Sequence, residues 1–303
     1  MTADLMEKYS YKILNGKQVS AQLRDELKKD IKDFAEKRYR RPPRLIIFQV
    51  GNNPTSNTYV QNKIKACEEV GIKARLMKLE NTITEDELIQ LIRTACSCTN
   101  ETPYDYTFYD GVFVQLPLPE HIDENHIIKM INPNRDVDGF SVENVGTLML
   151  KHSSVNAFMP CTAYGIINLL QEYNINLAGK HCVIVNRSTI VGKPLAMMLL
   201  NKDATVTICH SKTENLKEIC QQADILITAI GKPKFFTKDY IKPGAVVVDV
   251  GMNRDENNKL CGDVDFDDVI DKVSAITPVP GGVGPMTVTM LLYNVYKAWT
   301  QYN

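Results

Sequence analysis

Tyr59 and Lys63 stand four residues apart in SNTYVQNKIK, just behind a loop reading GNNPTS. On a helix that spacing puts both side chains on one face, close enough to work on the same small molecule, an aromatic surface beside an amine. Farther along, Gln115 closes the apolar run GVFVQ and Asp138 sits in the tight turn DVDGF. Each follows a strand or a turn, where side chains converge on a crevice. An amine, a neutral amide and a carboxylate held there could work on one small molecule. Taken singly, each has a plainer reading: Lys63 as a surface charge, Gln115 as a polar strand end, Asp138 as a turn former before glycine.

Such groups act together only if the fold gathers them. RLIIFQV (44–50) reads as a buried strand, and NTYVQNKIKACEEVG as a helix closed by Gly71. IKARLMKL is a second strand. ITEDELIQLIRTAC suits a helix in which Thr84 and Glu87 form a capping box. GVFVQLPLP is a third strand, stopped by two prolines. The stretch NPNRDVDGFSVENVGTLML lacks strong periodicity and reads as a boundary. Beyond it come helix YGIINLLQEY, strand HCVIV, helix PLAMMLLNK, strand TVTIC, helix NLKEICQQ, strands DILITAI and AVVVDVG, and a last helix PMTVTMLLYNVYKAW. Continuous apolar strands joined by helices predict an α/β fold with parallel sheet buried on both faces.

The chain has 303 residues, 44% of them hydrophobic, which favours two domains over one. A net charge of -1 supplies no broad positive field for nucleic acid or an anionic membrane. The eight cysteines are scattered; only Cys96 and Cys98 are close, without the C-x-x-C pairs of a zinc or redox site, so reduced thiols and no metal are expected. No apolar h-region opens the chain, and no apolar run approaches the roughly 20 residues of a membrane span. A cytoplasmic protein with a small-molecule ligand is the expectation.

Strand HCVIV, loop NRSTIVGKP and a following helix form the kind of unit in which a dinucleotide pyrophosphate sits on a helix N-terminus. The loop is not G-x-G-x-x-G, so a plain strand-helix connection stays open as a reading. The second strand of the series ends in HSKT (His210–Thr213), with no acid at its tip to take a ribose 2′-hydroxyl. A 2′-phosphate would be tolerated there. Arg187 could offer it a planar charged fork and Ser211 a hydroxyl, which favours NADP over NAD.

SNTYVQNKIKACEEVGI, GVFVQLPLP, NPNRDVDGF, NRSTIVGKP, CHSKT and TPVPGGVGPMTVTML resemble, in order and spacing, the signatures of the bifunctional methylenetetrahydrofolate dehydrogenase/methenyltetrahydrofolate cyclohydrolase family. The resemblance runs from about ILNGKQVS to the last helix. It implies that Lys63 is the catalytic group of the cyclohydrolase step, that Tyr59 packs on the folate, and that Gln115 hydrogen-bonds Lys63. It also implies that Asp138 binds the pterin ring and that Pro280, Gly281, Gly282 and Val283 line the folate cleft. Arg187, Ser188, Gly192, Ser211 and Ile230 would bind NADP. The implied architecture is a catalytic α/β domain over 1–152 and a Rossmann-like, doubly wound cofactor domain over 153–284. Helix 285–303 would return to the first domain, with the active site in the interdomain cleft. A homodimer through the cofactor domain, and a cytoplasmic role in one-carbon metabolism and purine biosynthesis, complete what the resemblance implies.

The chemistry explains the residue types. Hydride transfer from the methylene bridge to a nicotinamide needs positioning rather than an acid or base. The methenyl cation that results must then take up water, which needs a proton acceptor and later a donor. A lysine of ordinary pKa, about 10.4, would be a charged spectator, so Lys63 has to be depressed by burial and by the substrate cation. A neutral amide at Gln115 can hold the amine without favouring its charged form as a carboxylate would, and Asp138 is expected to stand farther off and stay ionised. Two positions depart from the family pattern. Asn186 replaces the glycine before Arg-Ser, a turn that asparagine can keep by visiting the left-handed region at some cost. Ala163 replaces the proline of P-C-T-P, which would loosen the domain junction. Two other classes remain in view, a different NAD(P)-dependent oxidoreductase and a binding-only sensor of nucleotide or folate.

Overall fold

The computed structural model describes residues 7–38, 41–97, 109–150 and 157–301. Cys98 and the expected boundary at residue 152 lie outside the described residues. The chain divides into two compact units, Gln22–Cys161 with Val288–Asn303, and Met1–Ala21 with Thr162–Thr287. In chain order the first elements are α1 (Gly16–Arg38), β1 (Arg44–Val50), α2 (Pro54–Val70), β2 (Lys73–Leu79), α3 (Glu85–Ser97), β3 (Gly111–Val114), α4 (Glu124–Met130) and α5 (Val142–Thr147). There follow α6 (Cys161–Glu172), β4 (His181–Val185), α7 (Gly192–Leu200), β5 (Thr205–Cys209), α8 (Leu216–Cys220), β6 (Ile225–Thr228) and β7 (Val246–Asp249). The last are β8 (Asn253–Arg254), β9 (Leu260–Cys261), α9 (Phe266–Val269), β10 (Ala275–Ile276) and α10 (Val283–Gln301).

In the unit built on Gln22–Cys161, β1 is the central strand of a parallel sheet ordered β2-β1-β3. Its run Leu45–Phe48 is buried on both faces, as an uninterrupted apolar strand requires. Helix α2 starts at Pro54, earlier than the loop GNNPTS suggests. Proline at the first helical position loses no hydrogen bond, and Asn53 Oδ1 accepts from Ser56 N at 3.2 Å. The helix ends at Gly71, whose φ of +89° suits a residue without Cβ. The capping box on α3 is present: Thr84 N donates to Glu87 Oε2 at 2.9 Å, and Glu87 N donates to Thr84 Oγ1 at 3.2 Å. Trp299, fully buried near the end of α10, meets Phe34 edge-on with ring centroids 4.9 Å apart.

The second unit holds a five-stranded parallel sheet ordered β10-β7-β6-β4-β5. Starting from β4, the chain first adds β5 on one side and then β6, β7 and β10 on the other. The strand order therefore reverses between β4 and β6, the place where doubly wound sheets bind ligands at their carboxyl ends. Val183, Val185, Leu226, Phe236, Val247 and Ile276 belong to its core. The N-terminal segment completes this unit: Leu14 N donates to Ile276 O at 2.9 Å and Lys17 N to Gly281 O at 2.8 Å. Ile13 bridges Ile276 in parallel register. Among the described residues no helix is long and apolar enough to cross a membrane.

Candidate active site

Lys63 lies on α2, and β3 delivers Gln115 one residue past its end, where Gln115 N donates to Phe48 O at 2.9 Å. Lys63 Nζ donates to Gln115 Oε1 at 2.8 Å. The amide is oriented for this because its Nε2 donates to Leu116 O at 2.5 Å, which leaves the oxygen facing the amine. Nζ also lies 3.8 Å from the centroid of the Phe113 ring. Only 9% of Lys63 and 8% of Gln115 is exposed. Burial pulls the amine down to about 8, against the pull of Asp138 toward the charged form. Desolvation wins that contest. Tyr59, one turn earlier, is half-buried, and burial raises its phenol.

Asp138 is held by its neighbours. The carboxylate of buried Asp136 accepts from Gly139 N at 3.0 Å, Ser141 N at 2.6 Å and Asn144 Nδ2 at 3.0 Å, which shapes the DVDG turn. Gly139 has a φ of +79°, and a Cβ there would lie 2.7 Å from the Met159 backbone. Asp138 itself is pushed up to about 7, first by burial, with Lys63 and the Cys161 thiol opposing. Burial thus opposes the ionisation of this carboxyl, while the nearby Lys63 favours it. Among the described residues Lys63 and Asp138 form no direct ion pair; they sense one another through the intervening low-dielectric space. The buried Cys161 thiol donates to Val137 O at 3.3 Å, and burial holds it well above the ordinary thiol range.

The dinucleotide features gather in the other unit, at the carboxyl ends of β4, β5 and β6. Asn186, first residue past β4, is absent from the described non-glycine residues with positive φ, so the left-handed turn expected from sequence does not form. Its side chain shapes the loop instead. Oδ1 accepts from Ser188 N at 2.8 Å and Gly192 N at 3.0 Å, while Nδ2 donates to Ala229 O at 2.5 Å. Gly192 must lack a Cβ, which would lie 2.2 Å from Asn186 O. Arg187 and Ser211 are exposed, the latter in the turn after β5 where His210 N donates to Thr213 Oγ1 at 2.8 Å. Ile230, after β6, donates its N–H to Asp263 Oδ2 at 2.6 Å. A parallel sheet with a reversal point, a strand-loop-helix unit and an exposed arginine fits a phosphorylated dinucleotide. Of the Pro280–Val283 segment, Gly281 has a φ of +105°, and a Cβ on Gly282 would lie 2.6 Å from Pro278 O.

Two family models match the chain. The tetrahydrofolate dehydrogenase/cyclohydrolase catalytic domain covers residues 14–138, and the NAD(P)-binding domain of the same family covers residues 160–303. The chain belongs to the tetrahydrofolate dehydrogenase/cyclohydrolase family. The bifunctional protein FolD of Lachnoclostridium phytofermentans is 53% identical over 287 residues, 94% of this chain and 97% of that protein. Among solved structures, the bifunctional FolD methylenetetrahydrofolate dehydrogenase/cyclohydrolase of Campylobacter jejuni aligns with a TM-score of 0.88 at 46% identity, covering 95% of this chain and 99% of that one. The dehydrogenase-cyclohydrolase of Trypanosoma brucei, complexed with NADP cofactor and inhibitor, aligns with a TM-score of 0.88 at 33% identity, over 95% of this chain and 97% of that one.

Three residues of this dehydrogenase/cyclohydrolase chain support the Asp138 turn without being singled out by sequence: Asp136, Cys161 and Asn294. Asn294 Nδ2, buried, donates to Val137 O at 2.8 Å and Met159 O at 2.9 Å, pinning the backbone on either side of the turn. An asparagine in the otherwise apolar and aromatic run MLLYNVY was its available signal. Ala163, expected to loosen the chain, is fully buried in the first turn of α6.

Proposed function

We propose that this chain oxidises 5,10-methylenetetrahydrofolate to 5,10-methenyltetrahydrofolate with NADP and hydrolyses the product to 10-formyltetrahydrofolate. The observation that carries the reading is the buried Lys63 amine, lowered to about 8 and held at 2.8 Å by a neutral carbonyl. Family membership and the relative complexed with NADP support both activities and the cofactor.

NADP, when bound, supplies the hydride acceptor. The protein's part in that step is to orient the folate and exclude water, and Tyr59 offers an aromatic face for the purpose. In the hydrolytic step neutral Lys63 takes a proton from the water that attacks the methenyl carbon, then returns one as the ring opens. Gln115 keeps the amine aimed by accepting one of its protons, leaving the lone pair of the neutral form for the water. Asp138 receives N–H donors of the pterin ring, and these donors favour its charged form against the burial that opposes it. Pro280, Gly281, Gly282 and Val283 line the folate site. Arg187 and Ser211 take the 2′-phosphate, with Ser188, Gly192 and Ile230 along the rest of the dinucleotide. The catalytic part is assigned to residues 1–152 with helix 285–303, and the cofactor part to 153–284, the segment up to Ala21 belonging by its contacts to the compact unit of the cofactor part. The chain works as a cytoplasmic homodimer in one-carbon metabolism, feeding purine biosynthesis; the seven described cysteines, all free thiols, support a reducing compartment.

Absorbance of the methenyl intermediate, followed with NADP and NAD in parallel, tests the reading. Lys63→Ala should let the intermediate form and persist. Equal loss of formation and decay would overturn the role given to Lys63.

A further inference from the structure

We propose that the Asn186 carboxamide acts as a built-in substitute for a phosphate oxygen, and thereby sets the affinity that NADP and NAD share without affecting the choice between them. The inference rests on the dinucleotide reading above and names a residue that governs the same site.

Asn186 sits at the point where the strand order of the five-stranded sheet reverses, and its Nδ2–H to Ala229 O bond ties the end of β4 to the end of β6. At that place a dinucleotide pyrophosphate is met by backbone N–H groups of the strand-helix loop and of the helix start. Here those donors already have partners. Ser188 N and Gly192 N bond to Asn186 Oδ1 at 2.8 and 3.0 Å, Val191 N to Ser188 Oγ at 3.0 Å, and Lys193 N to Ser188 O at 3.0 Å. A pyrophosphate arriving at the loop must displace the carboxamide before it can use the two N–H groups that Oδ1 holds. The seat exists because Gly192 is bare: a Cβ there would come within 2.7 Å of Oδ1. The pyrophosphate is common to both dinucleotides, whereas the groups that would read a 2′-phosphate, Arg187 and Ser211, are exposed and take no part in the carboxamide's hydrogen bonds. The competition therefore acts on both ligands alike.

The test is calorimetric titration of the whole protein with NADP and with NAD, for the wild type and for Asn186→Gly, Asn186→Ala and Asn186→Asp. Asn186→Gly frees the N–H groups that Oδ1 holds and should tighten both dinucleotides by about 3- to 10-fold, about 0.6–1.4 kcal/mol in all, with their ratio unchanged. Asn186→Ala, which keeps a Cβ, should do the same in smaller measure, and amide exchange at Ser188 and Gly192 should quicken in the free protein. Asn186→Asp, which retains the acceptor and adds a like charge, should weaken both by more than tenfold. Ligand-free melting reports whether each variant is folded, and Asn186→Ala stands in should the glycine variant fail. Unchanged or weaker binding in the folded glycine or alanine variant would overturn the proposal, as would an effect confined to NADP. Absence of binding by the wild type and every variant would overturn the dinucleotide reading itself, and this inference with it.

Discussion

A lysine beside an aromatic ring and within reach of a carboxylate would ordinarily be held charged; at Lys63 the loss of water outweighs both. Its value of about 8 lies below the 10.5 of an exposed lysine, so between those pH values the unfolded chain binds more protons than the native one. Stability attributable to this group therefore rises as pH climbs from about 8 to 10.5, and below 8 the native state carries a buried charge. Lys63→Met should abolish methenyl hydrolysis and, below pH 8, raise the unfolding free energy by an amount on the order of 1–3 kcal/mol, read as a higher melting temperature. A melting temperature that falls in the variant would count against burial as the cause. The same shift predicts a hydrolysis rate that increases with pH through an ascending limb near 8 in the free enzyme, as the amine loses its proton. Gln115→Glu should move that limb to higher pH, because a carboxylate at 2.8 Å favours the ammonium. A pH-rate profile of kcat/KM decides it.

Elements differ in how openly the sequence declares them, and the reason is the number of neighbours that must cooperate. Strands β1 and β4 were readable to the residue, because buried apolar runs admit few other fates in a parallel sheet, and the edge strand β5 was readable from its β-branched residues, though most of it is not buried. The α3 cap was equally plain, since Thr84 and Glu87 satisfy each other within one turn. Helix α1 has no place in the sequence reading, for its buried stripe is sparse: Val19, Leu27 and Ile31 on a highly charged segment. Strand β10, two residues long, leaves no periodicity to read. Of the site, Tyr59, Lys63, Gln115 and Asp138 were legible as types in a pattern, whereas the contacts that hold them depend on partners far along the chain. Asn186 is the clearest case, since its loop is organised by a carbonyl 43 residues away. Asn294 is another, bonding Val137 from a distance of 157 residues. Asn294→Ala would leave two buried carbonyls short of a donor. The expected result is a stability loss of about 1–3 kcal/mol and a raised KM for folate, with NADP affinity unchanged. A variant that melts lower but keeps its folate KM would show that the Asp138 turn holds its shape unaided.

At the scale of the molecule, the residues proposed for folate chemistry and those proposed for the dinucleotide's phosphates lie in two separately compact units. Lys63→Met should therefore retain NADP affinity. Arg187→Ala should retain methenyl hydrolysis while weakening NADP about 10- to 100-fold relative to NAD, the worth of one charged hydrogen-bonding partner. Titration of each variant with each dinucleotide, beside its hydrolysis rate, checks the division; an unchanged NADP to NAD ratio would place the phosphate elsewhere. The units are nonetheless not contiguous in the gene. Ile13 and Leu14 meet Ile276 at the edge of the five-stranded sheet, and Lys17 meets Gly281. During translation, at about 5–20 residues per second, the first of these partners emerges roughly 10–50 s before the second exists. Ile13 and Leu14, buried in the finished unit, thus lack their partner until then, and in that interval they are open to chaperones and proteases that the finished protein excludes.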